Sequence, residues 1–68
     1  MNTTLDRLTD CRNALQHART AALDTVPELY GARAICADEL AERITDIIAY
    51  VDKLRFVVFG DLRAGLSR

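Results

Sequence analysis

The sequence predicts an all-α antiparallel two-helix hairpin that dimerises into a helical bundle, and three observations lead there. Apolar residues recur at three- and four-residue spacings in two long stretches, the signature of helices with one buried face. A proline-containing break, Asp24-Thr25-Val26-Pro27-Glu28, separates the stretches. The bulky apolar residues are also unevenly shared: of nineteen Ile, Leu, Val and Phe, six lie in positions 1–34 and thirteen in 35–68. The second stretch therefore carries more apolar surface than the first can cover. A chain of 68 residues is near the lower limit for folding alone, and oligomerisation is one of the usual remedies.

The first helix is predicted over 4–23, where Leu8, Cys11, Leu15, Ala18 and Ala22 form one stripe and Ala14 and Ala21 widen it. Asn2, Thr3 or Thr4 offers an N-cap, and Asp6 and Asp10 lie near the positive end of the helix dipole. Residues 24–31 form the turn. Pro27 has no amide proton and disfavours helical geometry at Val26, while Thr25 and Glu28 match a capping box. Gly31 is a second soft point, so the next helix begins at Pro27 or after Gly31; a short helical turn with a restart near Ala32 is the preferred reading.

The second helix is predicted over 32–59, with Ala37, Leu40, Ile44, Ile47, Val51, Leu54 and Val58 as a heptad seam that Ala41 and Ile48 thicken. Gly60 then reads as its stop, leaving 60–68 as a frayed tail. The run Phe56-Val57-Val58-Phe59 would also suit a strand, but the helical phase continues through it from Ile44, which makes the helix end apolar on nearly all sides. The expected core, within one hairpin or between two, is Leu8, Leu15, Leu40, Ile44, Ile47, Val51 and Leu54. At 1.5 Å per residue the helices are about 30 and 42 Å long. A reversal near residue 28 makes facing positions add up to about fifty-six in an antiparallel pair. The Leu54–Phe59 stretch then overhangs by about 12 Å, and a two-fold dimer covers it.

Chemistry is thinly represented. Two cysteines and one histidine cannot build a tetrahedral zinc site, the glycines at 31, 60 and 65 make no phosphate loop, and no cofactor is expected. His17, beside Asn13 and Gln16, has no Ser or Asp specified to orient it and reads as a solvated or interface residue. Cys11 is expected in the core. Cys36 stands several turns from it, beyond the Cα separation of about 4.4–6.8 Å that a disulfide needs, which leaves an intersubunit bridge open at Cys36. No basic segment leads into an apolar one, and no run of eighteen apolar residues occurs, so a non-enzymatic cytoplasmic chain with two reduced thiols and no membrane association is expected.

The function these features favour is that of a small inhibitor or adaptor that docks a helix face onto another protein, besides pairing with itself. Tyr30, Phe56 and Phe59 are the candidate anchors, since aromatic residues and arginine dominate binding hot spots; dimer packing accounts for the two phenylalanines equally well. The rival reading is RNA binding. Eight of nine basic residues are arginines, and paired first helices would present Arg7, Arg12, Arg19, Asn13 and His17 as one face. The net charge of −1 weakens the non-specific electrostatic attraction to nucleic acid.

The two-helix plan over residues 4–59, closed by Phe59-Gly60-Asp61, resembles the Rop family of plasmid proteins. That resemblance implies a four-helix-bundle dimer binding paired RNA loops through its first helices, where Asn13, Gln16 and His17 would sit. The string Leu5-Asp6-Arg7-Leu8 followed by Arg12-Asn13-Ala14 is similar to the opening helix of small phage and mobile-element hairpins that inhibit quorum-sensing regulators, pilus motors or CRISPR complexes. It implies a phage-encoded inhibitor that occupies the surface of a host regulatory or defence protein.

Overall fold

Helix α1 (Thr3–Thr25) and helix α2 (Ala32–Arg63) lie antiparallel, joined by a single 3-10 turn at Val26–Glu28 and a bend at 29–31. The structure is a computed structural model that describes residues 3–65. It is an all-α hairpin with no strand among those residues, 52 Å long and 16 × 11 Å in cross-section. Phe56–Phe59 is helical throughout, as the unbroken phase requires.

The helices meet along rows spaced three and four apart. On α1 the row runs Leu5, Leu8, Arg12, Leu15, Arg19 and Ala22, and on α2 it runs Ala34, Ala37, Ala41, Ile44, Ile48, Val51, Arg55, Val58 and Leu62, all buried or half-buried. Its centre is a cluster of Ala22, Ala41, Ile44 and Ile48, with Leu15 and Leu23 packed against it. Ala22 and Ala41 place two small side chains at its centre. Within a single hairpin Ile44 is therefore buried and Leu8, Leu15 and Val51 are half-buried, whereas Leu40, Ile47 and Leu54 stay 52%, 49% and 45% exposed. The seam of α2 combines the expected 37-44-51-58 row with the 41-48-55 row, in place of 40-47-54.

The reversal comes later than the proline break suggests. Val26–Glu28 continues beyond α1 as a 3-10 turn with Pro27 in its first positions, closed by Leu29 N–H donating to Val26 O at 3.2 Å. The chain turns back at Gly31, whose φ of 60° and ψ of −131° belong to a region that side-chain-bearing residues avoid. The capping box does not form, because the Thr25 hydroxyl donates back to Ala22 O at 2.7 Å. As a result Arg12 meets Asp52 and Arg19 meets Thr45, so facing positions add up to sixty-four. The expected register near fifty-six is corrected by two helical turns, and with it the overhang: Leu54–Phe59 lies alongside the first turns of α1. Thr3 and Thr4 are inside the helix; Asn2 lies outside the described residues.

The far end is corrected in the same way. Helix α2 runs through Gly60, which keeps a negative φ, to Arg63. Gly65, at φ 71°, supplies the left-handed residue of the true terminus, where Ala64 N–H donates to Gly60 O at 3.0 Å and Gly65 N–H to Leu62 O at 3.2 Å. Residues 66–68 of the expected frayed tail lie outside the described ones. Because Gly60 is an exposed helix-interior glycine with open space around its missing Cβ, Gly60→Ala is expected to raise stability by about 0.5–1 kcal/mol, read as a higher thermal midpoint.

Candidate functional site

Two faces flank the seam, and the helical repeat decides which residues share them. Stepping back one residue from each seam row turns either helix by about 100°; since the helices run in opposite senses, both steps lead to the same side of the hairpin. That side carries Cys11, Ala14, Ala18 and Ala21 from α1 beside Leu40, Ile47, Tyr50, Leu54 and Val57 from α2, with Arg7 and Arg43 among them, every one of them exposed. Tyr50, Lys53, Leu54 and Val57 line a shallow, apolar hollow of about 120 Å³ there. Cys11 is thus on the surface and not in the core, and Cys36 is exposed too; both are free thiols.

Stepping forward one residue leads to the opposite, largely polar side, which includes Asn13, Gln16, Thr20, Glu42, Thr45 and Asp52. At its end remote from the turn, Leu5, Arg12, Asp52, Arg55, Phe56 and Phe59 line an open groove of about 490 Å³. Phe56 is 78% and Phe59 48% exposed, and the Arg63 guanidinium lies 5.8 Å from the Phe59 ring centroid, within cation–π range. Tyr30, 85% exposed, sits in the bend at the other end of the molecule. The three candidate anchors therefore form a pair and an outlier.

A charged layer floors the aromatic groove. Arg12 Nε donates to Asp52 Oδ1 at 2.8 Å and Arg55 reaches the same oxygen at 3.1 Å. Desolvation pushes the Asp52 carboxyl up, but hydrogen bonds from Arg12 and Arg55, together with their charges, outweigh it and hold the group below the ordinary aspartate value. Arg55 Nε is buried without an acceptor. Two turns further along, Arg19 Nε donates to the Thr45 hydroxyl at 2.6 Å, and that hydroxyl donates in turn to Ala41 O at 3.0 Å.

The residues of the RNA reading are dispersed by this arrangement. Arg12 and Arg19 lie in the seam and are engaged across it, Arg7 lies on the apolar side, Asn13 on the polar side, and exposed His17 points away from the seam. Sequence periodicity treated these arginines as surface groups, although the 5-8-12-15-19-22 spacing was the signal that placed two of them inside. It also passed over Asp52, Tyr50 and Val57. Among the described residues no group of three or more His, Cys, Asp or Glu side chains could hold a metal ion, and no helix is long and apolar enough to cross a membrane. Comparison with family profiles, curated proteins and solved structures finds no match.

Proposed function

We propose that the chain is a non-enzymatic protein-binding module, an inhibitor or adaptor that acts as a two-fold dimer in the cytoplasm and docks onto a regulatory or defence protein, as a phage-encoded hairpin would. The observation that carries this reading is the Phe56–Phe59 pair, standing in an open groove beside the guanidinium groups of Arg12, Arg55 and Arg63. Exposed aromatic rings rimmed by arginine are the composition of interface hot spots. The chemistry such a groove fits is an apolar segment with acidic flanks, whose carboxylates would meet the arginines as the rings are covered. Open grooves without a buried acid–base or nucleophile pair give no support to catalysis. With Arg7, Arg12, Asn13 and His17 dispersed around the hairpin, RNA binding has less to stand on than protein binding.

A photoreactive amino acid installed at position 56 tests the proposal in the cells that make the protein. A single adduct heavier than two copies of the chain is expected, absent when the reactive group is moved to Gln16 and lost when Arg55 and Arg63 are both changed to Glu. No adduct beyond the chain's own copies, or an adduct indifferent to the charge reversal, overturns the reading.

A further inference from the structure

We infer that the apolar side is the seat of a second copy of this chain, and that the copies pair with α2 of each lying over α1 of the other about a two-fold axis parallel to the helices. This specifies the dimer proposed above and rests on that reading. Area is the first argument. The hairpin exposes 5375 Å², whereas a compact monomer of its 7.6 kDa mass exposes about 4,300 Å². The surplus is of the order that an interface removes, and a face of 52 × 16 Å offers about 800 Å² per copy, the size of a standard stable interface. The core supports the same conclusion: among the described residues four are buried and none is fully enclosed.

Shape complementarity fixes the orientation. Between Cys11 and Ala21 the side is small along α1, and between Leu40 and Val57 it is bulky along α2, so laying α2 over α2 would set large side chains against large and leave a gap between the alanine rows; in the other arrangement Arg43 and Arg7 come level with Ala21 and Val57 of the second copy, at the two ends of the patch. An axis parallel to the helices instead sets each bulky row on a small one. It also preserves height along the bundle, so the sixty-four rule that holds within the hairpin holds between copies with no offset left to choose. Tyr50 then faces Ala14 of the second copy, and Ile47 and Leu54 face Ala18 and Cys11 of the second copy, one residue from perfect level. Large meets small in each of these layers, as close-packed interfaces require. Both Phe56–Phe59 grooves are left uncovered on the two outer sides, at the same end of the bundle.

The cysteines provide the test. In a Cys36→Ser, Leu54→Cys variant, Cys11 of each copy lies beside the new thiol of the other, and mild oxidation at micromolar concentration is expected to give nearly complete covalent dimer on a non-reducing gel. Cys36→Ser alone, and Cys11→Ser, Cys36→Ser, Leu54→Cys together, pair like thiols across the bundle diagonal and are expected to stay uncrosslinked. Sedimentation equilibrium on the unoxidised proteins is run beside them, with circular dichroism to confirm the helices. A species of 7.6 kDa overturns the dimer itself. A dimer that links through position 54 alone, or that stays unlinked with its thiols still free after oxidation, overturns only the α2-over-α1 arrangement. Ala14→Glu, at an exposed site in the single hairpin and two turns from the level of Arg43, is expected to weaken association by roughly a hundred-fold or more, because it buries a carboxylate against Tyr50 of the second copy; unchanged association places the contact on another face and overturns the inference.

Discussion

Ile44→Asp is expected to abolish the helical circular-dichroism signal. Among the described residues Ile44 is one of four that are buried, and it packs with Ala22, Ala41 and Ile48 between the helices; no cation lies in that cluster to pair with a carboxylate. Burying an uncompensated charge costs about 3–5 kcal/mol, comparable with the whole stability of a domain this small, which lies toward the lower end of roughly 5–15 kcal/mol. Ala49→Asp is the matched control: Ala49 is exposed on the same helix, and the change there costs about 0.5 kcal/mol of helix propensity. If both variants melt at the same temperature, the core does not lie where Ile44 lies.

Ala41→Leu is expected to destabilise by about 1–3 kcal/mol, even though it adds apolar volume and keeps helix propensity nearly unchanged. Ala41 is the most buried of the described residues and packs with Ala22 in the seam, so three extra carbons must push the helices apart there. For a domain of this length the expected loss corresponds to a fall of about 4–8 °C in thermal midpoint per kcal/mol. Ala49→Leu, on the outside, is expected to leave the midpoint within about 2 °C by the same conversion. A rise in midpoint on Ala41→Leu would mean that the seam holds unfilled space.

How far the hairpin could be read in advance depends on the element. Helix positions follow from three-four spacing, and Ile44, Leu8, Leu15 and Val51 turn inward as that spacing requires. Spacing alone does not choose between Leu40-Ile47-Leu54 and Ala41-Ile48-Arg55, because both rows adjoin the Ala37-Ile44-Val51-Val58 row. Bulk favours the first, whereas close approach against Ala22 favours the second. The register escaped because it depends on where the chain reverses. Proline marks the end of α-helical hydrogen bonding at Thr25, but the chain can run on as a 3-10 turn, and only the unusual dihedral angles at Gly31 turn it back. The aromatic groove was half legible: Phe56 and Phe59 stood out by type, while Arg12 and Asp52, forty residues apart, come together only through that register.

The Arg12–Asp52–Arg55 layer has a consequence for alignment. Rows that repeat every seven residues look alike to a helix sliding by seven, and the seam alone would let the two helices settle in shifted alternatives of similar energy. Sliding by one heptad sets Arg12 against Thr45 in one direction and Phe59 in the other, but Arg19 then meets Asp38 or Asp52, so one arginine–aspartate contact is exchanged for another. The layer therefore leaves the choice among heptad registers to the connection: residues 26–31 alone join the helices, and a slide of seven would have to be made good by unwinding turns of helix. Alignment is thus a property of the hinge, and a longer linker there would free α1 to sample pairings that the present turn forbids.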